Sequence, residues 1–142
     1  MTELFLIAHV AGRGVAIAAD QIDSVVDIGT VVPVPGTDAA VRGLAALRSR
    51  IVTVIDTGIA LGLAPLGRSV RAVIARVEGH HYAVLVDSLE DVSAFERRPL
   101  SFGLALGPGW QAAATGLIER AGEPLLIIDP AAFVPVPKAQ AA

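Results

Sequence analysis

Short apolar runs, each about the length of one strand and separated by glycine-centred breaks, organise the chain from end to end. Residues 4–10 and 15–18 are apolar and flank Gly12-Arg13-Gly14, which reads as a hairpin turn. Residues 21–28 alternate roughly, with Ile22, Val25 and Val26 broken by Asp23 and Asp27. Residues 31–36 carry two prolines and end in Pro-Gly. Each proline removes a ladder donor, so this segment predicts an edge or connector closed by a turn. Residues 51–55 are a β-branched run that predicts a buried strand, and residues 57–63 predict a single helical turn stopped near Gly62 and Pro65.

The second half repeats the pattern. Residues 70–77 and 82–86 flank Glu78-Gly79-His80-His81, and residues 112–119 and 125–128 flank Arg120-Ala121-Gly122-Glu123. Both read as hairpins. Weaker elements at Val92, 100–102 and 104–106 surround a loop, Gly107-Pro108-Gly109-Trp110. Asp129-Pro130 has the form of an N-cap with Pro at the first helical position, which predicts a short C-terminal helix. About ten strands at this spacing, with no long helix and no repeat period, predict an all-β barrel or sandwich. The linker-like patch Ala64-Pro65-Leu66-Gly67-Arg68-Ser69 divides the chain nearly in half and points to two barrels of about five strands each. Ile51, Val54, Val73, Val84 and Ile127 are the expected core, and residues 138–142 an expected frayed tail.

At 142 residues the chain fits one domain, 1–142, with approximate lobes 15–66 and 70–135 and terminal segments that can cross between them. An apolar fraction of 54% with 18% charged residues excludes disorder for the body of the chain. The net charge of −3 argues against nucleic acid, which needs clustered cations on one face. Cations are almost all arginine, with Lys138 the single lysine; arginine suits interfaces by its planar fork, and codon bias produces the same composition. Without cysteine there is no disulfide framework and no thiol chemistry. The opening apolar run lacks a basic segment before it, which favours a first strand over a signal peptide, and no run reaches the ~20 residues a bilayer needs. A cytoplasmic protein without direct membrane insertion is expected.

One stretch carries candidate chemistry. Asp56-Thr57-Gly58 after an apolar strand is the tripeptide of aspartic proteases, in which two such aspartates share a proton. A single copy would have to act as a retropepsin-like homodimer, and the supporting apolar-apolar-Gly loop is missing where Leu126-Ile127-Ile128-Asp129 stands. Asp56 reads better as a turn cap. His80 and His81 are adjacent, so in a strand they point to opposite faces, and His9 is distant in sequence. No metal, cofactor or catalytic residue is expected.

The order of several weak motifs over about 130 residues resembles the CheW-like domain family. Gly43, Leu44, Leu47, Arg48, Ile51, Val54, Asp56 and Leu61-Gly62 fall in register with its central signature. Ile22-Asp23-Ser24-Val25-Val26, Val86-Asp87-Ser88-Leu89-Glu90-Asp91-Val92, and Thr115-Gly116-Leu117 with residues 125–129 match flanking elements. The resemblance implies two packed SH3-like barrels with no catalysis of their own. It implies an adaptor between the cytoplasmic tip of a methyl-accepting chemoreceptor and the regulatory domain of a CheA-type histidine kinase, recruited to membrane receptor arrays. It places partner contacts at Ile22, Asp23, Ser24, Val25, Gly43, Leu44, Arg48 and Ser49. The sequence departs from the family at Ala46 and Ser49, which replace an amide and a turn glycine. It departs again at Thr53, which replaces a proline, and at Ser24, near which an outward glutamate is missing. Such changes fit either altered partner choice or ordinary drift at tolerant positions.

Overall fold

The computed structural model describes residues 2–67, 70–100 and 106–135. In chain order they form β1 (Glu3–Val10), β2 (Arg13–Ala18), a 3-10 turn (Ala19–Gln21), β3 (Ser24–Asp27), β4 (Val41–Leu47), β5 (Arg50–Ile55) and α1 (Thr57–Ala60). Then come β6 (Arg71–Val77), β7 (His80–Leu85), β8 (Ser88–Phe95), α2 (Pro108–Ala113), β9 (Ala114–Arg120), β10 (Glu123–Ile128) and a last 3-10 turn (Pro130–Phe133). The fold is mostly β, in two five-stranded sheets.

Three hairpins turn on a residue-Gly pair with both members at positive φ: Ala11-Gly12, Glu78-Gly79 and Ala121-Gly122. That mirror-image turn matches the right-handed twist of the strands it joins. The first turn therefore lies earlier than Gly12-Arg13-Gly14, and Arg13 and Gly14 already belong to β2. Asp129 caps the last turn by accepting the Ala131 amide at 3.0 Å, with Pro130 at its first position.

One sheet has the order β8-β1-β2-β10-β9 and the other β3-β6-β7-β5-β4. In each, a parallel pair joins two antiparallel hairpins: β10 with β2 through Leu126↔Val15, and β5 with β7 through Thr53↔Tyr82. The sheets thus do not follow a division of the chain near residue 67 into 15–66 and 70–135. Hairpin β6–β7 completes the sheet of β3, β4 and β5, while β1 and β2 join β8, β9 and β10. The apolar strands β5 and β7 satisfy their ladders against each other at long range, a pairing no local pattern reveals.

A central apolar layer lies between the sheets, with Leu6, Val15, Ile55, Val73, Val84 and Leu126 among its members. Smaller clusters fill the inner face of each sheet, around Val52, Val54, Ile74 and Leu85 in one and Phe5, Ile7, Ile118 and Ile127 in the other. Val54, Val73, Val84 and Ile127 are buried as expected. Ile51 is not: it is 62% exposed. Along β5 the residues 51, 53 and 55 share a face, and only Ile55 reaches the layer between the sheets.

The Gly-Pro stretch expected as a loop is instead the helix α2, with Pro108 in its first turn and Trp110 buried. A β-carbon at Gly109 would stand 2.1 Å from the Leu61 carbonyl oxygen, so only glycine lets α2 lie against the end of α1. The Arg13 guanidinium covers the Trp110 ring at 5.0 Å. Val92 lies within the edge strand β8. The weak elements expected at 100–102 and 104–106 fall mostly, and the tail at 138–142 entirely, outside the described residues. Glu3 opens β1 and takes two hydrogen bonds from Arg97 at 3.0 and 3.1 Å. These hold its carboxyl below the usual value.

Candidate functional site

Asp56 is 1% exposed and its carboxylate is fully engaged. Oδ1 accepts the Ile59 amide at 3.2 Å as the N-cap of α1. The Leu66 amide donates to both oxygens at 3.2 and 3.3 Å. Arg42 donates to Oδ2 at 2.5 Å. Thr57 donates its hydroxyl to the Leu85 carbonyl at 2.6 Å. The Asp-Thr-Gly motif is therefore a buried brace between β4, α1 and the segment after it, with no carboxylate oxygen free to share a proton across a dimer.

The histidines are dispersed. His9 lies 3.3 Å from Ser88 and 3.5 Å from Glu90, whereas His81 lies 3.9 Å from Asp23. Among the described residues no group of three or more metal-capable side chains occurs.

The second sheet curls so that its outermost strands, β3 and β4, face one another across a groove of about 470 Å³. Ser24, Val25 and Val26 line one side, Ala46 to Arg50 the other, and Ile74 of the neighbouring strand joins the lining. The groove exists because β4 and β5 are joined by a two-residue turn, Arg48-Ser49, which closes on the Leu47↔Arg50 pair and projects the hairpin tip toward β3. Arg48 takes φ of 54°, the left-handed conformation that a tight hairpin demands.

Electrostatics distinguish this tip. Among the described residues, Arg48 and Arg76 are the arginines with neither an acidic nor an aromatic partner. Arg50 pairs with Asp23 at 3.5 Å, and both side chains are about half exposed. Asp23 also starts the attachment of β3, donating its amide to the Ile74 carbonyl at 2.7 Å.

The eight residues expected at an interface fall into two groups. Ser24, Val25, Arg48 and Ser49 meet around the groove, and Asp23 stands at its edge. The other three lie elsewhere. Ile22 packs half-buried against the layer between the sheets. Gly43 is buried with φ of 150°, and a β-carbon there would stand 2.3 Å from the Val32 carbonyl oxygen. Leu44 exchanges two main-chain hydrogen bonds with Val32 at 2.8 and 2.9 Å and is 37% exposed on the outer face of β4. Val26, Ala46, Leu47, Arg50 and Ile74 line the groove without having been singled out as contacts. The hairpin alternation around Arg48-Ser49 was the signal that could have found Leu47 and Arg50.

Among the described residues no helix is long and apolar enough to cross a membrane. The family model of the CheW-like domain matches residues 4–137. A search of curated proteins found no match. Among solved structures, the scaffolding protein TtCheW from Thermoanaerobacter tengcongensis is similar in fold, with a TM-score of 0.77 at 20% identity. The similarity covers 90% of this chain and 89% of that one.

Proposed function

The chain belongs to the CheW-like domain family, non-enzymatic scaffolds that couple chemoreceptors to CheA kinase in chemotaxis signalling, and we propose that it docks its partners through the groove between β3 and the β4–β5 hairpin. The partners we assign are the regulatory domain of a CheA-type histidine kinase and the cytoplasmic tip of a methyl-accepting chemoreceptor, met in the cytoplasm at membrane receptor arrays. The whole chain acts as one domain in this reading. Asp23, Ser24, Val25, Arg48 and Ser49 make contacts, Leu44 extends the surface over β4, and Ile22 and Gly43 hold the two strands in place.

The observation that carries the reading is the convergence of Ser24, Val25, Arg48 and Ser49, more than twenty residues apart in sequence, on one groove beside an unpaired guanidinium. A free arginine fork at a hairpin tip can take a partner carboxylate in two hydrogen bonds. Three departures from the family pattern, Ser24, Ala46 and Ser49, also line this groove. The amide missing at Ala46 and the carboxylate missing near Ser24 shift recognition toward apolar and main-chain contacts, which fits a specialised partner.

The test is amide shift mapping of the isotopically labelled chain during titration with the kinase regulatory domain. Perturbations centred on β3 and residues 46–50 are expected. Perturbations confined to β8 and β9, on the other sheet, would move the interface away from the groove.

A further inference from the structure

We propose that this groove takes an added strand: an extended, acidic segment of a partner, hydrogen-bonded through its main chain between β3 and β4. The inference rests on the groove being a docking surface and specifies what enters it.

Both walls are edge strands, because β3 and β4 are the two ends of the sheet order, and β4 is bridged on that side only at Leu44 among the described residues. The register shows which peptide groups face the gap. Ile28 donates to Val70 at 2.7 Å, and Ser24 and Val26 stand opposite Ile74 and Ala72, so residues 24, 26 and 28 turn their peptide groups toward β6. The alternate residue, Val25, turns its N–H and C=O outward. On β4, Leu44 gives both main-chain groups to Val32, so Leu44 and Ala46 face away from β5. The segment carrying Val32 ends its pairing there, and Ala46 has no main-chain partner beyond it among the described residues. Val25 and Ala46 thus offer unpaired main-chain groups from opposite sides of a floor made by Val26, Leu47 and Ile74.

A helix seated here would satisfy none of these groups, since its own main chain is already paired. An extended segment satisfies them and places alternate side chains on the apolar floor, the strand-addition mode of recognition. Charge decides between a second copy and an acidic partner. A second copy pairing groove to groove would bring two unpaired Arg48 tips together. A carboxylate on the incoming strand would instead pair with Arg48, and could take Arg50 from its loose, half-exposed contact with Asp23.

The experiment uses the full chain with the blocked hexapeptide Val-Asp-Val-Glu-Val-Asp, its lysine-for-acid counterpart, and a version with alternate N-methylated amides. Amide exchange and shifts are read at Val25 and Ala46. The acidic peptide is expected to protect both amides, the lysine and N-methylated peptides to leave them exchanging. Arg48→Ala is expected to weaken binding about fivefold, equivalent to ~1 kcal/mol. No protection at millimolar peptide, or equal binding of the N-methylated peptide, overturns the proposal. So does concentration-dependent protection of both amides without peptide, which would make the occupant a second copy. The two readings separate with the kinase regulatory domain. If it binds but leaves Val25 and Ala46 exchanging freely, strand addition fails and docking stands. If the peptide protects both amides and the regulatory domain does not bind, docking to that kinase fails and strand addition stands.

Discussion

Replacing Asp56 by Asn tests whether the Asp-Thr-Gly motif is a brace. The variant keeps the shape and one acceptor oxygen, so the Ile59 cap can survive with Oδ1 in place. The second oxygen becomes an NH2 group that sets donor against donor with the Arg42 guanidinium, while the Leu66 amide keeps only its bond to Oδ1. A hydrogen bond to a charged group contributes ~1.5–3 kcal/mol, and breaking a buried pair costs ~3–5 kcal/mol. Arg42 retains 27% side-chain exposure, so water can take its charge and the lower part of that range applies. The expected loss is ~2–3 kcal/mol, read as a drop in the guanidinium-chloride midpoint at unchanged m-value. Arg42→Ala should lose ~3 kcal/mol by leaving the carboxylate without its cation. The double variant should lose clearly less than the sum, because the pair is one interaction. A loss under ~0.5 kcal/mol for Asp56→Asn, the range of an ordinary surface change, would refute the brace.

Other expectations separate packing from docking. Gly43→Ala should lose ~2 kcal/mol or more of stability, because its β-carbon meets the Val32 carbonyl at 2.3 Å in a left-handed conformation. Thermal melting with calorimetric enthalpy checks this. Ile51→Ala should change stability by under ~1 kcal/mol, whereas Val54→Ala should lose ~2 kcal/mol, since the first side chain is 62% exposed and the second 0%. Arg48→Gly should gain ~0.5–1 kcal/mol by relieving φ of 54° while weakening partner binding. Denaturation and calorimetry on the same sample report both effects. The Glu3 carboxyl is lowered by its hydrogen bonds from Arg97, so its contribution is present above the ordinary carboxylate pKa and lost as pH falls through the lowered folded value. Glu3→Gln should therefore lessen the slope of stability against pH on the acid side of the ordinary carboxylate range, seen in midpoints measured there.

Local chemistry made most of the strands legible. The glycines at 12, 79 and 122 mark hairpins because each takes the positive φ of its turn without a β-carbon penalty. Asp129-Pro130 marks its turn for an equally local reason. Trp110 was hidden by the glycines and proline around it, which read as a loop although Pro108 starts α2 and Gly109 permits its close approach to Leu61. Ile51 was misread because a β-branched run shows strand and not which end the opposing sheet covers. The partition of strands between sheets was invisible, since it depends on the parallel β5–β7 pairing. Of the residues that line the groove, Ser24, Val25, Arg48 and Ser49 were the ones the family resemblance named. Their meeting follows from the curl of a sheet whose order no sequence pattern fixes.

The most direct measurement is calorimetric titration of the wild-type chain and Arg48→Ala with the regulatory domain of the CheA-type kinase from the same organism, with melting temperatures recorded on both proteins. Alanine keeps the positive-φ penalty that glycine would remove, so it isolates the guanidinium. Wild-type binding at micromolar Kd or tighter, ~8 kcal/mol, with a clear loss in Arg48→Ala at nearly unchanged melting temperature, is the predicted result. Binding that is indifferent to Arg48, or a variant that loses its fold, would contradict a docking surface at this groove.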